Sequence, residues 1–169
     1  MNITYFTPLP ETSEELKKMY RVLAFRHHPD RGGETAVMQA INAEYKYLFA
    51  NLGSIHRNVK GEIYTKQTTE IPEDFIEIIS QLIRLPGLIV EIIGSFIWVT
   101  GETKQHKDAL GKDGLGFRWQ PNKQAWYLAP EGWRKSNRKV FGLDEIRAMF
   151  GTQTVNAQAY GRNDLLTVC

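Results

Sequence analysis

Cysteine is all but missing from this sequence, which has one in 169 residues, Cys169 at its end. A single thiol allows no intramolecular disulfide and supplies no cysteine set for structural zinc. A reducing, cytoplasmic setting fits such a chain. Histidine is scarce too, at four residues. His27 and His28 are adjacent and so face different ways on a helix, while His56 falls in a connection and His106 on a short surface helix. No metal site is expected. No glycine-rich phosphate loop follows a strand, and no nucleophile, base and orienting group stand together, so neither a cofactor nor catalysis by the chain itself is expected. The stretch from Phe75 to Val99 is apolar, yet Glu77, Arg84 and Glu91 would be costly in hydrocarbon and Pro86-Gly87 divides it, which argues against a membrane span. Met1 to Pro10 lacks the charged start and long apolar run of a secretory signal. A large charge excess is also missing, the net charge being +2, too little to mark a nucleic-acid protein outright.

An apolar share of 42% is ordinary for a globular chain with a real core. Leu16, Tyr20, Leu23 and His27 recur at helical spacing, with Lys17, Lys18, Arg21 and Arg26 largely on the remaining surface. Thr12 suits the N-cap, and Glu15 three residues later can complete a capping box. Pro29 has no backbone N–H and pushes His28 out of helical dihedrals, so this helix should end there. After a short turn through Asp30, Arg31, Gly32 and Gly33, the residues Val37, Ile41, Tyr45, Leu48 and Leu52 describe a second helix with one apolar stripe. Helices joined so tightly run antiparallel, which leaves His28-Pro29-Asp30 projecting from one end.

The stretch from Glu15 to Arg31, with His28-Pro29-Asp30 at its end, followed by Met38 to Leu48, resembles helices II and III of the J domain of DnaJ-like co-chaperones. That resemblance implies a signature loop of His28, Pro29 and Asp30 flanked by Arg31. It also implies a helical surface of Tyr20, Lys17, Lys18, Arg21 and Arg26 that meets the acidic ATPase domain of a DnaK-type chaperone and stimulates its ATP hydrolysis. Spread cations would speed encounter, and Asp30 is suited to a fork-shaped pair with a chaperone arginine. The chain departs from the family pattern in three places. The segment before Thr12 is too short and proline-broken for a full helix I, Val22 stands where many members carry a further basic residue, and the Arg31-Gly-Gly33 turn is brief. Short loops of this kind occur in specialised members, including viral ones.

Beyond a connection over 53–70, Pro72, Glu73 and Asp74 suit a first helical turn, with Phe75, Ile78, Ile79, Leu82 and Ile83 as the stripe and Pro86-Gly87 as the stop. Gly94-Ser95 signals a type II′ hairpin. The resulting register sets Ile93 opposite Phe96, Ile92 opposite Ile97, Glu91 opposite Trp98 and Val90 opposite Val99. Val90, Ile92, Ile97 and Val99 then form an apolar face, while Glu91, Phe96 and Trp98 share the other. A short helix over 103–110, a second hairpin from Phe117 to Leu128 across Pro-Asn, and a last helix near Leu143 to Phe150 complete the pattern. The expected fold is α+β: an N-terminal antiparallel helical hairpin over 1–52, the J domain with reduced helix I, then a small α-β-β-α-β-β domain over 71–150 with a capping C-terminal helix, and a mobile tail over 151–169. The second half, through Trp98-Val-Thr-Gly-Glu-Thr-Lys104, Gly116-Phe-Arg-Trp119 and Ala125-Trp-Tyr127, resembles the region found beside J domains in proteins of phages and integrative elements of Gram-positive bacteria. It brings no catalytic residues with it.

From Glu102 to Val140 nine Lys or Arg stand against four Asp or Glu, interleaved with Phe117, Trp119, Trp126, Tyr127 and Trp133. Rings could stack bases while Lys104, Lys107, Arg118, Lys123, Arg134, Lys135, Arg138 and Lys139 neutralise phosphates. The plainer alternative, favoured here, is that the rings are the core of a small sheet and the lysines its solvated rim. The face of Phe96 and Trp98 is the better candidate for a partner surface. The leading expectation is thus a co-chaperone that recruits a DnaK-type ATPase and directs it to a client protein of unknown identity. The alternatives are a nucleic-acid-binding accessory protein of a mobile element and a decoy that occupies the chaperone unproductively.

Overall fold

A computed structural model describes residues 1–135 and 139–150. Arg138 and the tail expected over 151–169 lie outside the described residues. The first helix, α1, spans Ser13–His27. Thr12 Oγ1 accepts the Glu15 N–H at 3.3 Å, and the Glu15 carboxylate accepts the Glu11 N–H at 2.9 Å. This is a capping box displaced by one residue on its return arm; N-caps of this kind contribute about 1 kcal/mol. At the other end the His28 N–H still donates to the Ala24 carbonyl, but His28 itself is extended, with ψ 136°, as a residue before proline must be.

Pro29–Arg31 form one 3₁₀ turn, closed by Gly32 at φ +84°. Gly33 is required for a different reason, since a Cβ there would stand 1.9 Å from the His27 carbonyl oxygen. The chain thereby reverses directly against the end of α1 and enters α2, Thr35–Leu52. The helices run antiparallel, and Leu16, Tyr20, Ala24, Ile41, Tyr45 and Leu48 are buried together. Among the described residues no helix precedes Ser13. Residues 4–6 lie across α2: the Thr4 and Tyr5 N–H groups donate to the buried Glu44 carboxylate at 2.8 and 2.9 Å, and Phe6 is fully enclosed.

The connection expected over 53–70 contains a small hairpin, β1 (Ile55–Arg57) and β2 (Ile63–Thr65). It is fastened to the start of α1 by His56 on Glu14 at 2.6 Å and Arg57 on Glu11 at 2.9 Å. Helix α3, Pro72–Ile83, follows, then β3 (Leu88–Ile93) and β4 (Phe96–Gly101). The β3–β4 register is the one anticipated from Gly94-Ser95, down to Glu91 opposite Trp98, and Gly94 takes φ +57°, as the first central position of a type II′ turn needs. A 3₁₀ turn over Thr103–His106 runs into α4, Lys107–Leu110. Strands β5 (Arg118–Gln120) and β6 (Ala125–Leu128) then complete an antiparallel sheet of order β3-β4-β6-β5. Their turn is longer than a two-residue reversal, a 3₁₀ segment over Pro121–Lys123 followed by left-handed Gln124. The last described helix is α5, Leu143–Phe150.

A single buried cluster runs from Phe6 through both hairpin helices, Phe75, Ile79, Leu82 and Ile83 of α3, and Val90, Ile92, Ile97 and Val99 of the sheet. The α1–α2 hairpin and the sheet are therefore not separate cores joined by a linker. Phe75 makes the junction, its ring 5.8 Å from that of Tyr20 and 5.7 Å from that of Tyr45. Among the described residues no helix is long and apolar enough to cross a membrane.

Candidate functional site

The His28-Pro29-Asp30 tip is built from both sides of the molecule. His28 Nδ1 accepts the Asp30 N–H at 3.2 Å, which places the ring proton on Nε2, and Nε2 lies 2.9 Å from Ser80 Oγ of α3, to which it donates. Burial pushes the imidazole below its usual value, partly opposed by the Asp30 carboxylate and reinforced by Arg84 and Arg31. His28 is accordingly neutral at pH 7. Asp30 Oδ2 accepts from Arg84 Nε at 2.9 Å, in a pair whose side chains are 47% and 59% exposed. Pro29, Asp30 and Arg31 face solvent, as does Arg26, but the expectation that His28 projects with them is corrected: it is 8% exposed, because both ring nitrogens are bonded within the chain, to the Asp30 N–H and to Ser80 of α3. The Arg31 guanidinium lies 5.6 Å from the centre of the Phe25 ring.

The helical surface expected beside this tip is not displayed. Tyr20 is 1% exposed, its hydroxyl donating to Asn42 Oδ1 at 2.8 Å, and burial raises its pKa far above the usual phenol value. Lys17 and Arg21 are 7% and 4% exposed. Lys17 is paired with Glu70, at the entry to α3, and its ammonium sits 5.5 Å from the Phe75 ring centre. Lys18 is half-buried and donates to the Phe150 carbonyl at 3.4 Å; burial lowers its pKa. The expectation of an exposed Tyr20-Lys17-Lys18-Arg21 face is corrected for a clear reason. Helix α1 is covered on two flanks, by α2 and by the α3 side of the molecule, and only Arg26 continues the positive surface toward Arg31.

The second expected surface is corrected as well. Trp98 is 5% exposed, because α5 lays Leu143 and Ile146 against Trp98, Ile93 and Ala125. Arg147 of α5 reaches the buried Glu91 carboxylate with Nε at 2.9 Å and Nη2 at 2.6 Å. Phe96 is half-buried, with the Trp133 ring edge-on at 5.2 Å. Lys123 lies 5.9 Å from the Trp98 ring centre, and its pKa is lowered by burial and by Lys135. Arg118, Arg134 and Lys135 are exposed. Lys104 and Lys107 are exposed on the segment that His106 ties to the Pro86 carbonyl at 2.9 Å, at the end of β3 remote from Gly94. Trp119 and Trp133 are exposed beside Arg118 and Arg134, but on opposite faces of the sheet, so the cations are not gathered around one open ring.

Ser80 and Arg84 at the tip, and Glu70 beside Lys17, were not anticipated. No local pattern could have marked them, since they lie 52, 54 and 53 residues from the groups they hold. A cleft of about 190 Å³ opens beside the Lys17–Glu70 pair, lined also by Phe75, Ile97 and Pro130; it is smaller than ordinary small-molecule sites. Among the described residues no group of three or more His, Cys, Asp or Glu side chains is placed to hold a metal ion. Comparison with protein-family models, curated proteins and solved structures returned no match.

Proposed function

We propose that this chain is a J-type co-chaperone that engages a DnaK-type ATPase through the exposed end of its helical hairpin and stimulates ATP hydrolysis there. The observation that carries this reading is the display of Pro29, Asp30 and Arg31 at the hairpin tip, on a turn whose shape is set by a buried, neutral His28. Asp30 offers a half-exposed carboxylate suited to a guanidinium fork, and Arg26 and Arg31 supply cationic steering around it. Engagement is narrower than the whole α1 face. Uncovering Lys17 alone would mean lifting α3, and re-exposing Phe75, Ile79, Leu82 and Ile83 would cost about 6 kcal/mol or more at the usual value per buried side chain. The sheet half, bound rigidly to the hairpin through the shared core, serves in this reading to select the client.

Single-turnover ATP hydrolysis by a purified bacterial DnaK-type chaperone tests the proposal. The intact chain should accelerate it, whereas His28→Gln and Asp30→Asn should return the rate to its basal value. Equal acceleration by both variants would remove the tip from the mechanism. A nucleic-acid platform is not favoured, because of the rings it would use Phe117 is 2% exposed, and the two exposed ones, Trp119 and Trp133, pack on opposite faces of the sheet, against Trp126 and Phe96. Titration with labelled single-stranded DNA across a salt series should accordingly show no salt-sensitive binding near physiological ionic strength, and a steep salt slope there would reinstate that function.

A further inference from the structure

The end of α3 lends the tip two groups, Ser80 from its last turn and Arg84 from the residue that follows it, and each occupies a polar atom that a docking partner would need. Ser80 takes the only ring proton of His28, and Arg84 takes the Asp30 carboxylate. The two contacts differ in kind. Ser80 is half-buried and meets a histidine that is 8% exposed, so this bond is part of the fold. The Asp30–Arg84 pair is largely solvated, and exposed ion pairs are weak and readily exchanged. Arg84 is also chemically a stand-in, since it offers Asp30 the same guanidinium that an arginine of a partner would offer.

We infer that Arg84 is an intramolecular competitor at the docking tip: it holds Asp30 in a self-engaged resting state, and an arginine of the ATPase partner takes its place on docking. The inference rests on the co-chaperone reading above and names the regulation of that same tip. Exchange needs only the swing of one exposed side chain, so it proceeds without lifting α3 from the core. His28 stays clamped to Ser80 throughout, which keeps the turn in shape while Asp30 changes partner. The chain thus arrives with its carboxylate already neutralised, and only a partner that supplies a guanidinium in the right place recovers the pair that is lost.

Competition and steering predict opposite signs for one substitution. Arg84→Gln removes a cation near the tip and, if Arg84 merely helped attract an acidic partner, would weaken docking. If Arg84 competes for Asp30, half-maximal stimulation of the bacterial chaperone should need about threefold to fivefold less chain, the scale of an exposed ion pair. Arg84→Lys should fall between Arg84→Gln and the unaltered chain. In the absence of chaperone, the His28 ring protons followed by NMR should titrate at higher pH in Arg84→Gln, since Asp30 Oδ2 stands 3.6 Å from His28 Nδ1 and Arg84 no longer offsets it. Arg84 is 59% exposed, so its replacement leaves the fold intact.

An unshifted His28 titration, or stimulation by Arg84→Gln that needs as much chain as before or more, would overturn the competitor role. The co-chaperone reading would survive either result as long as the unaltered chain stimulates and Asp30→Asn does not. Absence of stimulation by the unaltered chain and by Arg84→Gln alike would instead defeat the co-chaperone reading, and the competitor role with it.

Discussion

Phe75→Ala is expected to lower the unfolding free energy by about 3 kcal/mol or more, the range for truncating a buried phenylalanine, and to do so for the helical and sheet halves together. The ring is 8% exposed and meets Tyr20, Tyr45 and the Lys17 ammonium. Its loss would leave a void beside the existing cleft and remove the contact through which α3 holds the hairpin. Urea unfolding followed by far-UV circular dichroism and by tryptophan fluorescence measures this directly, because the helices dominate the first signal and Trp98 and Trp126 of the sheet contribute to the second. The two transitions should coincide in the unaltered chain and move to lower urea together. A hairpin and a sheet that unfold at separate midpoints, with only one shifted, would show that the shared cluster is not a cooperative core.

Arg147→Ala should be the next most damaging change, at about 3 kcal/mol. Glu91 has no exposed side-chain surface and is held by two guanidinium nitrogens of Arg147, which Asp144 steadies from the solvent side at 2.7 Å. Removing the cation of a buried pair is far more destabilising than replacing both partners by apolar groups. The double variant Arg147→Met with Glu91→Leu should therefore recover much of the loss. Lysine at 147 keeps the charge but not the fork, so it should restore less than half. Thermal unfolding gives the stabilities, and near-UV circular dichroism reports whether α5 still covers Trp98. A single Arg147→Ala variant as stable as the unaltered chain would mean that α5 is held by Leu143 and Ile146 alone.

Both effects depend on groups that adjacent sequence does not connect, and this separates what was legible in the chain from what was not. Thr12 and Glu15, Pro29 and the Gly32-Gly33 reversal act over a few residues, so the ends of α1 and the shape of the tip follow from residue chemistry. Gly94-Ser95 likewise set the register of β3 and β4, because side-chain alternation in a hairpin leaves no freedom once the turn is chosen. The failure of the expected cationic face has an equally specific origin. Helical periodicity placed Lys17 and Arg21 on the polar side of α1, and polar sides are normally solvated. Here the sheet half of the molecule, α3 together with β3, packs on α1, and Glu70 makes the burial of Lys17 tolerable. Trp98 was assigned to an open face for a related reason: the strand pattern fixes which side a ring is on, not what later packs against it.

Taken by itself, the sequence determined the ends of α1, helices α2 and α3, the β3–β4 register and the location of the His28-Pro29-Asp30 tip, since each is settled by periodicity, dihedral preferences and hydrogen bonds within a few residues. It did not mark the β1–β2 hairpin inside 53–70 or the longer β5–β6 turn. Tertiary structure alone decided that the two halves share one core, that Tyr20, Lys17 and Trp98 are interior, and that His28 and Asp30 are met by Ser80 and Arg84. Those outcomes depend on pairings more than fifty residues apart, where charge and shape complementarity act through space and leave no periodic trace along the chain.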